Sequence, residues 1–238
     1  MHRTQHLPLI RRALLGGAGA LMGSAALAAP TAGSAAPHPA APPTLLEPIL
    51  EAPATMTAAV RGSAYLDGVV YIASRHTVSP GVVRLGAFDP FTGEQLAVHD
   101  LDIGASAGDN SMAADDRYVY IGPAGSAFVW RFDPATAAVE QFVELGASNA
   151  WTYSMTVHGD HLFIGTYPEC RLLRVHRSTG EVTDFGRVGA SQYAVAIAVD
   201  EQYVFASTAA PGALKAYDHD GTEIAAPTSG LTPSPART

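Results

Sequence analysis

The sequence predicts an all-β chain built from repeated four-stranded units, and three observations carry that reading. An apolar strand opened by a polar turn occurs four times, at Val69-Val70-Tyr71-Ile72, Tyr118-Val119-Tyr120-Ile121, Leu162-Phe163-Ile164 and Tyr203-Val204-Phe205. The aromatic positions Tyr71, Tyr120, Phe163 and Phe205 are spaced by 49, 43 and 42 residues. A Gly-Ala-Ser landmark at Gly104, Gly146 and Gly189 keeps the same phase, with spacings of 42 and 43. Within strands the pattern has a period of two: Phe128, Trp130 and Phe132 fall on one face, Val129 and Arg131 on the other.

In chain order, residues 1–28 read as a targeting segment. Arg3, Arg11 and Arg12 precede an uncharged run from Ala13 to Ala29, and Ala26-Leu27-Ala28 offers a small-x-small cleavage site. Arg11-Arg12 followed by Ala13-Leu14-Leu15 resembles a twin-arginine signal, so the expectation is a secreted, extracellular protein with no membrane attachment after cleavage. Residues 29–43 are an Ala/Pro-rich linker, residues 44–226 hold the repeats, and residues 227–238 form a polar tail expected to be disordered.

Each repeat opens on a small-residue strand, such as Ser111-Met112-Ala113-Ala114 or Ser154-Met155-Thr156-Val157, which suits an innermost strand where neighbours crowd. The apolar strand with its aromatic follows. A third strand then runs into a turn, as in Phe88-Asp89-Pro90 and Phe132-Asp133-Pro134, and Thr92-Gly93-Glu94, Thr179-Gly180-Glu181 or Gly221-Thr222-Glu223 closes a hairpin to the fourth. No stretch keeps a helical period for long enough to form a helix. A four-strand repeat near forty residues points to propeller blades, four of them here. Four blades either close as a small ring or form an open arc, part of a larger propeller; the expectation is the open arc, with two exposed apolar blade faces that invite self-association.

The strand, loop, strand ending in Asp, then x-Thr-Gly pattern of Val69 to Glu94, repeated in part from Tyr118 to Thr136, resembles the quinoprotein-like (PQQ-like) β-propeller repeats. The resemblance spans about Thr57 to Glu223 and implies that ligands meet the face carrying the loops between second and third strands and between blades. On that face lie Arg75, His76, Asn110, Asn149, Trp151, Tyr153, Tyr167 and Tyr193, the candidate ligand-binding residues. The tryptophans that close quinoprotein blades are missing, since Trp130 and Trp151 are the only two and sit at non-equivalent positions, so no cofactor is expected.

Charge narrows the partners. Without residues 1–28 the chain carries 11 basic and 22 acidic side chains, a net of −11, which does not suit nucleic acid or an anionic membrane. Aromatic rings beside amides fit a carbohydrate or protein ligand instead. The first function expected is therefore a secreted binding or interaction scaffold. An alternative is a polysaccharide or lactone lyase, with His76 as base, Arg75 neutralising a carboxylate and Tyr153 as acid/base. A second alternative is a truncated fragment with no role of its own. Cys170 is alone, so no internal disulfide forms, and it reads as a packed residue. His158-Gly159-Asp160-His161 and Asp218-His219-Asp220-Gly221 read as solvated hairpin turns, with no metal expected.

Overall fold

Local turn chemistry cuts the chain into short antiparallel strands. The computed structural model describes residues 60–75, 81–105 and 110–224. Its strands are β1 (Val60–Leu66), β2 (Val69–Arg75), β3 (Gly81–Phe88), β4 (Gln95–Ala105), β5 (Asn110–Ala114), β6 (Val119–Pro123), β7 (Phe128–Asp133), β8 (Ala138–Glu144), β9 (Trp151–His158), β10 (His161–Tyr167), β11 (Arg171–His176), β12 (Val182–Arg187), β13 (Ala194–Val199), β14 (Tyr203–Thr208), β15 (Leu214–Asp218) and β16 (Glu223–Ile224). No helix occurs among the described residues.

The first hairpin turns at Asp67 and Gly68, both at positive φ (48° and 82°), a geometry Gly adopts without the clash a Cβ would bring. Elsewhere an aspartate closes the turn with its own side chain. Asp89 Oδ1 accepts the amides of Phe91 and Thr92, and Asp218 Oδ1 those of Asp220 and Thr222, all at 2.8–3.0 Å. The Asp at the end of the third strand in blades 1, 2 and 4 is thus a turn former, and His176 stands at that place in blade 3.

The strands make four antiparallel sheets, each a simple meander: β1-β2-β3-β4, β5-β6-β7-β8, β9-β10-β11-β12 and β13-β14-β15-β16. These are the four predicted blades. Their first strands pack in succession, β1 on β5, β5 on β9 and β9 on β13, so the short, small-residue strands are indeed innermost. No comparable packing joins β13 back to β1, and the succession is open.

Three apolar layers fill the gaps between blades. The first joins Tyr71 and Leu85 to Val119, Ile121 and Phe132; the second joins Tyr120 and Val129 to Leu162, Ile164 and Val175; the third joins Phe163 and Leu172 to Val204, Ala206 and Tyr217. Burying each such side chain contributes about 1.5–3 kcal/mol, which makes the junctions the main source of stability.

The repeat also shows in polar contacts. Ser111 Oγ of β5 donates to the carbonyl of Thr152 in β9 at 2.9 Å, and Ser154 Oγ of β9 donates to the carbonyl of Ala194 in β13 at 3.0 Å. The two bonds span 41 and 40 residues and tie one blade's inner strand to the next.

Candidate functional site

The inner strands place the candidate residues through an irregularity that recurs in blades 1, 3 and 4, a one-residue register shift absent from blade 2. In blade 2, Asn110 pairs with Pro123 and Ser111 with Gly122, without interruption. In blade 3, Ser154 pairs with Gly165 but Thr152 with Thr166, leaving Tyr153 as the extra residue of a β-bulge. A bulge re-aims its side chain, and Tyr153 reaches across to blade 4. Its ring lies 5.1 Å from that of Tyr193, edge to face.

Tyr193 in turn stacks on Tyr167, with centroids 4.5 Å apart and planes at 23°. Tyr167, the last residue of β10, pairs through the backbone with Trp151, the first of β9, and their rings are 5.0 Å apart. Four rings from blades 3 and 4, Trp151, Tyr167, Tyr193 and Tyr153, therefore form one continuous series, each half-buried.

Trp151 and Tyr153, the two ends of the series, line a cavity of about 350 Å³ reached by all four inner strands, with Ser63, Ser111, Thr152 and Ser154 also among its lining residues. Among the described residues, no charged side chain lines it. Aromatic faces and hydroxyl groups in an uncharged setting can stack on a ring-shaped ligand and hydrogen-bond its periphery.

Two loops are held in place to support these rings. Asn149 is buried; its Nδ2 donates to the carbonyl of Leu145 at 2.9 Å, and its Oδ1 accepts from Thr166 Oγ1 at 3.0 Å. Its amide is spent on the loop that carries Trp151, so it positions that ring from inside. Arg187 does the same for the segment before Tyr193, its Nε donating to the carbonyl of Gly189 and its guanidinium reaching that of Ser191.

Arg75 ends β2 and pairs through the backbone with Val83, and Asn110 opens β5 and pairs with Pro123. His76 lies outside the described residues, so the base, cation and acid of a lyase are not brought together among them. Trp151, Tyr153 and Asn110, expected on the loop-bearing face, are strand residues, because the inner strands begin earlier than their apolar runs do. The reading also missed the hydroxyls of Ser111, Thr152 and Ser154. Their signal was present in the shared Ser-Met phase of the inner strands.

Cys170 is fully buried, and burial pushes its thiol up, away from the reactive thiolate. The opposite, hairpin side corrects the reading of its histidines as solvated turn residues. His158, His161 and His176 are half-buried; the ring of His161 is 5.2 Å from that of His176, and His158 is 5.6 Å from His219. Among the described residues no group of three or more His, Cys, Asp or Glu side chains is arranged to hold a metal.

Burial holds the His161 imidazole below its ordinary range, and the charges of Arg174, His176 and His219 add to this against the opposing Asp160. The fold thus favours neutral His161. As pH falls through about 6.5, the unfolded chain binds its proton first, so this contribution is present above that pH and lost on the way down to the folded-state value. The melting temperature should fall between pH 7.5 and pH 5.5, at about 2–4 °C per kcal/mol for a chain of this size, and His161→Gln should flatten that slope. Equal slopes in the two proteins would assign the pH dependence to other groups.

No family model matches the chain, and no curated protein matches it. Solved structures do. The chain is similar to the computationally designed Ika8 protein, with 16% identity and a TM-score of 0.49 over 67% of this chain and 46% of that one. It is also similar to the WD40 β-propeller domain of Doa1, with 14% identity and a TM-score of 0.48 over 69% of this chain and 53% of that one. The chain spans about half the length of each. Its own sheet order and inner-strand succession define it as a β-propeller-type repeat protein of four open blades.

Proposed function

We propose that the chain is an exported interaction scaffold of the quinoprotein-like repeat type that binds an uncharged, ring-bearing ligand, foremost a carbohydrate. The observation that carries this reading is the unbroken series Trp151, Tyr167, Tyr193 and Tyr153 beside a cavity whose described lining is rich in hydroxyls and free of charge. Trp151 and Tyr153 bring two rings to the cavity, and the neighbouring hydroxyls supply donors and acceptors without the desolvation cost of an ionised group. The basic segment, apolar run and cleavage site of residues 1–28 support export.

Trp151 makes the test direct, because it is the only tryptophan in the site. Titration with neutral oligosaccharides should change its fluorescence, and Trp151→Ala should weaken binding, measured calorimetrically, by about tenfold. A panel of neutral glycans that leaves both the fluorescence and the heat unchanged would reject the carbohydrate reading.

A further inference from the structure

Every junction between consecutive blades is built the same way. One blade gives an aromatic, Tyr71, Tyr120 or Phe163, which is 6%, 0% or 0% exposed. The next receives it beside a pair of apolar residues, Val119 and Ile121, Leu162 and Ile164, or Val204 and Ala206, all 0% exposed. Two halves of this pattern are left over at the ends of the succession.

On blade 4 the giving position is Phe205, which is only half-buried, and the strand beside it exposes Ala196 and Ala198. Tyr203 and Leu214, on the same face by register, are 39% and 37% exposed. On blade 1 the receiving pair is Val70 and Ile72, half-buried where its three counterparts are fully buried, with Tyr65 opposite Val70 and 61% exposed. Apart from Val182, the exposed large hydrophobic residues among those described all belong to blades 1 and 4.

We propose that a second copy of the chain covers both faces at once, blade 4 of each copy against blade 1 of the other, to give a twofold dimer whose eight blades complete a ring. The occupant follows from the internal junctions. A giving face fits a receiving face, the chain shows that fit three times, and it carries one spare of each kind. A second copy satisfies both spares with two identical junctions, which is the closed outcome for a head-to-tail contact. Eight blades lie within the range that propellers adopt, about four to eight. Two charged groups near the faces are engaged within the chain: Arg84 pairs with Asp100 at 2.7 Å, and the Asp218 carboxylate holds its turn amides.

The experiment is light scattering after gel filtration of the full-length chain across a dilution series. The expected species has twice the chain mass of 24.7 kDa and dissociates on dilution. Phe205→Asp should weaken the dimer about thirtyfold or more, as loss of an anchor residue does. Ile72→Asp should act alike, with Tyr65→Lys in its place should that variant fail to melt cooperatively. Mixing a blade 4 variant with a blade 1 variant regenerates one unaltered junction, so the mixture should dimerise more tightly than either alone. A single-chain mass at every concentration, growth beyond two chains, or a dimer unaffected by Phe205→Asp would overturn the proposal.

Discussion

Gly165→Ala should lower the melting temperature by about 10 °C, a loss of about 3 kcal/mol for a chain of this size. A Cβ at Gly165 would stand 2.6 Å from the carbonyl oxygen of Ala194 and inside the contact distance of Ser154 Oγ. The carbonyl is backbone of the next blade's inner strand and accepts the Ser154 hydroxyl, so neither obstacle turns aside without cost. Gly122 stands at the same point of the previous repeat, where a Cβ would meet Thr152 and come within 2.8 Å of Ser111 Oγ, and Gly122→Ala should act in the same direction. Gly212 has an ordinary φ and nothing within 4 Å of an added Cβ, so Gly212→Ala should leave the melt within about 0.5 kcal/mol of wild type. Thermal melts followed by circular dichroism read all three. A Gly165→Ala protein as stable as the Gly212→Ala protein would mean that blades 3 and 4 do not approach as closely as described.

Those glycines show which parts of the fold the sequence could announce. Blade number and strand order were legible because their signals are local: Asp67-Gly68 makes a hairpin wherever it occurs, and the aromatic of each second strand recurs in phase. Junction chemistry was less so. Nothing in Ile121-Gly122 or Ile164-Gly165 alone says that a neighbouring blade lies against the glycine, although their equal phase was a usable hint. The four ring residues could be named from the chain, but their contact depends on the Tyr153 bulge, one extra residue that appears only when β9 is registered against β10. Asn149 was open to misreading for a related reason. A polar side chain in a loop looks like a ligand group until Leu145 and Thr166 are seen to consume its amide. The histidines at the hairpin turns failed the simple rule that turn residues are solvated, because the third strand of blade 3 brings His176 against His161.

The second large effect should come from Asp115, which holds blades 2 and 3 together from the hairpin side. Its carboxylate is 4% exposed. It accepts the backbone amides of Arg117 at 2.8 Å and Tyr118 at 2.6 Å, the Tyr120 hydroxyl at 2.7 Å, and the Arg177 guanidinium of blade 3 at 2.6 Å. Burial alone would raise its pKa, but these four donors outweigh it and hold the group below the ordinary carboxylate range, while burial and the Asp115 contact push the Tyr120 phenol up. Asp115→Ala leaves the Tyr120 hydroxyl buried without its acceptor and Arg177 with only the exposed Asp116 and Asp160. Stability should drop by about 3–5 kcal/mol, as it does when one partner of a buried pair is removed. Arg177→Met should cost less, because Asp115 keeps its three other donors. If the loss in Asp115→Ala arises from the stranded partner, the double variant Asp115→Ala, Arg177→Met should be more stable than the sum of the single losses predicts. Strict additivity in urea melts would instead place the Asp115 contribution wholly in its own turn and in Tyr120, and would remove the ion pair from the forces joining the two blades.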